Sequence, residues 1–128
     1  YETHMGAIEI RKSAAELRAL WAAGNEYLQA AAPWTAFGED PDRAAVSVRL
    51  AINLIRFYAV ISAPFIPDAS ARMLDAMNTS DTAWPSDIGD ALSVLQPGHA
   101  IDVPDMLFRK ITDDERERWR VQFAGTRD

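Results

Sequence analysis

The stretch from Pro41 to Ser62 restricts the fold most, because its residues are apolar almost all the way round a helix. Asp40 and Pro41 are favourable residues for the cap and the first position of a helix. The apolar residues are Val46, Val48, Leu50, Ile52, Leu54, Ile55, Phe57, Tyr58, Val60 and Ile61. A helix of this kind must be enclosed by other elements. We therefore place it centrally in an all-α helical bundle.

A narrow polar stripe interrupts this helix at Arg49, Asn53 and Arg56. Spacings of four and three residues place the three side chains on one face. The stripe has two interpretations: it contacts RNA or a neighbouring domain, or it is a solvated face. The second is favoured from the pattern alone.

A proline corner precedes this helix. Residues 7–29 read as a helix, which should end near Ala31 or Ala32 because a proline disfavours the helical conformation of the residue before it. Pro33 fixes its own φ, and Trp34 follows directly. The indole can fill a gap between two helices, or it can form a stacking surface for an unpaired base. The pattern alone favours the gap-filling role, since buried aromatics far outnumber RNA platforms.

The rest of the chain predicts shorter elements around these two helices. They are a loop over residues 35–40, a helix from Asp68 to about Met77, a helix capped by Ser86 that runs to Leu95, an extended segment at 101–108, and a last helix opened by a capping box at Thr112–Glu115. No inner linker or internal repeat is present. We expect one domain over residues 1–128 with four to five helices.

The composition excludes several classes of function. The net charge is −6, whereas a stand-alone nucleic-acid binder is usually basic. If the chain binds RNA, another part of a larger protein must supply much of the electrostatic attraction. There is no cysteine, the two histidines are isolated, and no glycine-rich phosphate loop or nucleophile–base pair occurs. We expect no catalytic residue and no metal site, and no membrane partner, since no apolar run reaches a membrane span.

Several motifs resemble a known family. Asn25-Glu26-Tyr27-Leu28 followed by Ala32-Pro33-Trp34 is similar to the N-x-Y … A-P-W signature in the anticodon-binding domain of methionyl-tRNA synthetases. Four later segments continue the resemblance in the family's order over nearly the whole chain. They are Asp40–Arg43, Ser62–Pro67, Pro97–His99 and Leu107–Ile111.

The resemblance implies the anticodon-recognition domain of a class I methionine–tRNA ligase. Such an enzyme joins methionine to tRNA(Met) in the cytoplasm, with ATP and Mg in a separate catalytic domain. The expected partners are therefore the anticodon stem-loop of tRNA(Met) and the catalytic domain of the same chain. In the family, the tryptophan of the A-P-W element stacks on a base of the CAU anticodon, and the proline shapes the pocket. These roles fall on Trp34 and Pro33, and they shift the preferred role of Trp34 from gap-filling to stacking.

Four further residues receive weaker assignments. Asn25 and Tyr27 are expected to support the loop, although a plain surface amide is an equally good interpretation of Asn25. Arg109 and Lys110 are adjacent cations that could contact the RNA backbone, yet nothing in the sequence places them near Trp34.

The chain also departs from the family. The family's first helix, which carries a recognition asparagine and arginine, is missing, as are the ATP-binding motifs. We therefore expect a non-catalytic fragment that binds tRNA weakly alone, and a dimer through the face that the missing helix leaves open. Two alternatives remain. One is the anticodon domain of another class I synthetase, which Ala32-Pro33-Trp34 opposes. The other is a helical protein-interaction domain without an RNA role, in which the Trp34 indole is buried.

Overall fold

A computed structural model describes residues 1–125 as a bundle of helices without strands, which confirms the all-α prediction. Its elements are α1 (Glu2–Gly6), α2 (Ile10–Ala31), α3 (Pro33–Glu39), α4 (Pro41–Ser62), α5 (Pro67–Ala76), α6 (Ile88–Ala91) and α7 (Asp113–Gln122). These described residues hold seven helices, where the sequence predicts four to five. Residues 126–128, which the predicted domain includes, lie outside the described residues.

α4 has the bounds that the sequence predicts, and it is the centre of the bundle. Asp40 caps it by accepting a hydrogen bond from the Arg43 backbone nitrogen at 3.0 Å. α2, α3 and α5 all pack against it. The main core clusters contain Leu17, Phe57, Ile61 and Ala91 in one, and Ala59, Val60 and Leu74 in the other. Most of these residues belong to the C-terminal half of α4, so that half carries the core.

The N-terminal half of α4 is less enclosed than the sequence predicts. Val46 is 68% exposed, and Val48 is also exposed. The physical reason is that the described residues place only the short helix α3 and the non-helical segment around Leu95 beside this half, and part of its surface stays open between them. An apolar helix surface is thus left open at this end of the bundle.

Two of the three residues in the polar stripe of α4 are buried and the third, Arg49, is half-buried, so the interpretation of the stripe as a solvated face is wrong for Asn53 and Arg56. Asn53 is fully buried and Arg56 is 3% exposed. Asn53 Nδ2 donates to the Leu95 carbonyl at 3.0 Å, and the Leu95 N–H donates to Asn53 Oδ1 at 2.8 Å. Arg56 pairs with the carboxylate of Asp81 and donates to its carbonyl. The non-helical chain that crosses α4 has backbone groups to satisfy, and the stripe satisfies them.

α4 is also long and apolar enough to cross a membrane by length and composition. The expectation that no segment reaches that length is therefore wrong. Core helices pass the same test, and α4 buries Asn53 and Arg56 against protein partners while three helices pack on it. Its contacts are those of a core helix.

The predicted and observed capping residues agree for α7 and differ for α5 and α6. Thr112 and Glu115 form the predicted capping box of α7. The cap of α5 differs, because Ile66 rather than Asp68 precedes the helix and Pro67 is its first residue. Asp87 replaces Ser86 as the cap of α6 and accepts from the Gly89 and Asp90 nitrogens. Residues 101–108 form no regular element.

The first predicted helix is split into two pieces. Ile8 has a φ of 58°, which separates α1 from α2, so the helix predicted over 7–29 begins at Ile10. Within α2, Gly24 allows a close approach of Tyr58. A Cβ at Gly24 would stand 2.8 Å from Tyr58 Cε2, while the Tyr58 hydroxyl donates to the Leu20 carbonyl at 2.7 Å.

Candidate nucleic-acid interface

The corner between α2 and α3 is a single residue, Ala32. Its φ of 39° is left-handed, and its N–H closes α2 by donating to the Leu28 carbonyl at 3.0 Å. Its own carbonyl accepts from Thr35 and Ala36 and so opens α3. The loop predicted at residues 35–40 is therefore wrong. Pro33 ends one helix and also starts the next, because a proline suits the first helical position.

The two adjacent side chains at this corner, Pro33 and Trp34, differ in their exposure to solvent. Pro33 is buried, as is Ala36 one turn later, and they seat α3 on α4. Trp34 is 59% exposed. An indole with this exposure does not fill a core gap, so the gap-filling interpretation is wrong.

An open apolar groove of about 520 Å³ surrounds the indole. The residues lining it are Pro33, Trp34, Phe37, Pro41, Ala44, Ala45 and Val48, and we call it the Trp34 groove. No titratable side chain is among them. Its chemistry is therefore that of a flat stacking surface with aliphatic walls, which suits the face of a nucleobase.

Phe37 is the residue that sequence reasoning missed. It is 69% exposed and lies three residues after Trp34, so both rings fall on one face of α3. The i, i+3 spacing could have identified it, but only if residues 33–39 had been recognised as a helix.

Asn25 and Tyr27 lie in the last two turns of α2, before the corner. Asn25 is exposed and Tyr27 is half-buried. Neither side chain makes a hydrogen bond within residues 1–125, and neither lines the Trp34 groove. Their supporting role stays a prediction.

Arg109 and Lys110 are not brought to the Trp34 groove. Arg109 forms a two-pronged pair with Glu115, with both N–H···O distances at 2.7 Å. This pair lowers the pKa of Glu115 to about 2 and raises the pKa of Arg109. A phosphate would have to compete with Glu115 for that guanidinium, and an RNA contact by either cation stays a prediction.

The acids and histidines of residues 1–125 are dispersed. No group of three or more of them could hold a metal ion in this part of the chain.

Comparisons with known proteins agree with this geometry. A family model described as the anticodon binding domain of methionyl tRNA ligase matches residues 1–128. The methionine–tRNA ligase of Ruegeria pomeroyi is 67% identical over 99% of this chain, and that of Dinoroseobacter shibae is 61% identical over 100%. The ligase of a Jannaschia species is 62% identical over 100%. The chain spans 22% of the length of each of these relatives.

Proposed function

The chain belongs to the family of anticodon-binding domains of methionyl tRNA ligases, and from this premise we propose that it reads the CAU anticodon of tRNA(Met) at the Trp34 groove. The family membership disfavours both alternatives, a domain of another synthetase and a protein-interaction domain without an RNA role. The observation that carries the proposal is an indole 59% exposed beside a buried proline.

Stacking explains why the groove is built from aromatic and aliphatic groups. A base that stacks on an aromatic side chain gains about 1–3 kcal/mol. Pro33 and the short helix α3 fix the backbone that carries the indole before RNA binds, so little backbone freedom is lost on binding. Phe37 extends the same surface and supports contact with more than one base face.

The negative charge of this domain bears on which part of the ligase attracts the tRNA backbone. At a net charge of −6, this domain does not attract phosphates strongly by itself. We propose that the rest of the enzyme supplies most of the attraction for the tRNA backbone, and that this domain supplies discrimination among anticodons.

Further proposals concern the whole enzyme. We propose that it joins methionine to tRNA(Met) with ATP and Mg in a separate catalytic domain, and that it acts in the cytoplasm. The curated relatives, all methionine–tRNA ligases, support the first of these. Dimerisation of the isolated chain is also proposed, through the face that the family's missing first helix leaves open. Sedimentation that gives a monomeric mass at high concentration would contradict the dimer.

The Trp34→Ala variant of the full-length ligase tests the central proposal. We expect methionyl-tRNA formation to fall about 10- to 100-fold, which is the rate equivalent of a lost stacking contact. Methionine activation without tRNA should stay unchanged, because it does not involve the anticodon. Trp119→Ala is a matched control, since Trp119 is a partly exposed tryptophan in α7 outside the groove.

Three outcomes would contradict the proposal. Unchanged aminoacylation in Trp34→Ala would show that the indole contacts no base. A parallel fall of aminoacylation and activation would show that the substitution disturbs the enzyme as a whole. Equal losses in Trp34→Ala and Trp119→Ala would show that the effect is not specific to the Trp34 groove.

A further inference from the structure

A second groove adjoins the Trp34 groove along α4, with a volume of about 410 Å³. Its lining residues are Ala45, Val46, Val48, Arg49, Ile52, Asn53, Leu95, Gln96, Pro97, Gly98, His99 and Ile101. We call it the Arg49 groove. Ala45 and Val48 line both grooves, so the two are neighbours on α4.

The far wall of the Arg49 groove is held in place by α4 itself. Arg49 Nε donates to the Leu95 carbonyl at 3.2 Å, and Nη2 donates to Gln96 Oε1 at 2.8 Å. Asn53 binds both backbone groups of Leu95 from beneath. The wall is therefore fixed before any ligand arrives, which lowers the entropic cost of binding.

Arg49 is a positive charge without a carboxylate partner in the part of the chain that the structure describes. None of the ion pairs within residues 1–125 includes it, whereas Arg56 and Arg109 are both paired. Its Nη1 makes no hydrogen bond there, and a guanidinium has five N–H donors. A half-buried, uncompensated guanidinium among aliphatic side chains favours an anionic ligand that presents oxygen acceptors.

We propose that Arg49 binds a phosphate of the anticodon loop, on the nucleotide next to the base that stacks on Trp34. The inference rests on the proposed function of the Trp34 groove. The α4 residues that line the Arg49 groove lie further toward the C-terminus of the helix than those that line the Trp34 groove. In this proposal, the RNA strand continues from the base on the indole along α4 toward Arg49.

The test measures the binding of an isolated anticodon stem-loop RNA of tRNA(Met) to the full-length ligase at several salt concentrations. Arg49→Gln should weaken binding about tenfold at low salt. It should also lower the slope of log affinity against log salt by about 0.7, the value for one phosphate contact in a single strand. Arg49→Lys should keep most of the slope, since the charge remains.

Arg43→Gln is the matched control for the loss of charge. Arg43 lies on another face of α4, is exposed, and lines neither groove. The proposal would be overturned if the slope of log affinity against log salt were the same for Arg49→Gln and the unmodified ligase. It would also be overturned if Arg49→Gln and Arg43→Gln changed the affinity and the slope equally. Trp34→Ala tests the underlying function separately, because it should weaken binding with little change in slope.

Loss of Arg49 also removes a hydrogen bond to the Leu95 carbonyl, so a second variant tests the site without changing that contact. Val46→Glu adds a carboxylate at an exposed position of the same groove and removes no buried contact. It should weaken stem-loop binding, whereas Val121→Glu, at an exposed position of α7, should not. Equal binding by these two variants would contradict a phosphate at this site.

Discussion

The two halves of α4 reverse the expected relation between polarity and burial. In the N-terminal half, Val46 and Val48 are exposed, and Val48 lines the Trp34 groove. In the C-terminal half, Asn53 and Arg56 are buried and hydrogen-bonded to the chain between Asp81 and Leu95. One helix thus presents apolar groups outward where RNA is proposed to bind, and polar groups inward where the protein must hold its own loops.

The comparison shows that burial on this helix follows the neighbours rather than the side chains. The C-terminal half is crossed by a segment with few helical hydrogen bonds of its own, and its backbone needs partners. The N-terminal half faces a short helix whose aromatic residues are directed outward. Removing groups from one half should therefore affect folding, and removing groups from the other should affect binding.

The largest effect on folding is expected at Asp81. Asp81→Ala removes the carboxylate that pairs with the buried Arg56 guanidinium; because the Asp81 side chain is itself 47% exposed, we expect a cost of about 2–3 kcal/mol, that of a lost hydrogen bond to a charged group. Urea denaturation of the 128-residue chain measures the change in the free energy of unfolding. Asp105→Ala removes an exposed carboxylate that makes no ion pair within the described residues, and it is the control. If Asp81→Ala lowered the free energy of unfolding by less than about 1 kcal/mol, the C-terminal half of α4 would not have the expected role in folding.

A smaller loss is expected at Asn53. Asn53→Ala leaves the buried Leu95 N–H without an acceptor, which costs about 2 kcal/mol. Asn25→Ala removes an exposed amide from α2 and should change the free energy of unfolding by less than about 0.5 kcal/mol. The same urea titrations compare the two variants. If both variants lost a similar amount of unfolding free energy, the Asn53 amide would not stabilise the contact between α4 and Leu95.

The smallest effect on folding is expected at Phe37, where the effect on binding should be clear. Phe37→Ala removes a ring that is mostly exposed, so the free energy of unfolding should change by less than about 0.5 kcal/mol. Binding of the anticodon stem-loop to the full-length ligase should weaken about tenfold, as for one lost stacking contact. Phe123→Ala, an exposed phenylalanine near the end of α7, should leave both quantities unchanged. A stability loss without a binding loss at Phe37 would reverse its assignment.

The sequence predicts those features that a few neighbouring residues decide. Asp40-Pro41 places the start of α4 correctly, and the capping box at Thr112 places the start of α7. In both cases the required partner is within one turn, so little tertiary information is needed.

The sequence does not predict features that distant segments decide. The Arg49, Asn53 and Arg56 stripe has the same spacing whether water or the chain from Asp81 to Leu95 covers it. Pro33 predicts only the end of a helix, because the left-handed conformation of Ala32 that lets a new helix begin is rare for alanine. The Trp34 groove could be predicted from family resemblance but not from pattern, since periodicity does not distinguish a buried indole from an exposed one.

The left-handed corner at Ala32 has a further consequence for fidelity. An alanine in this conformation costs about 1–2 kcal/mol, and a glycine would relieve that strain. A glycine would also let the corner adopt many more backbone conformations, each of which would tilt the indole differently. With alanine, fewer backbone conformations are open to the corner, so α3 presents its side chains in a narrower range of directions. Under the proposed function, this restriction limits the stacking geometries that the RNA-free domain offers to an anticodon base.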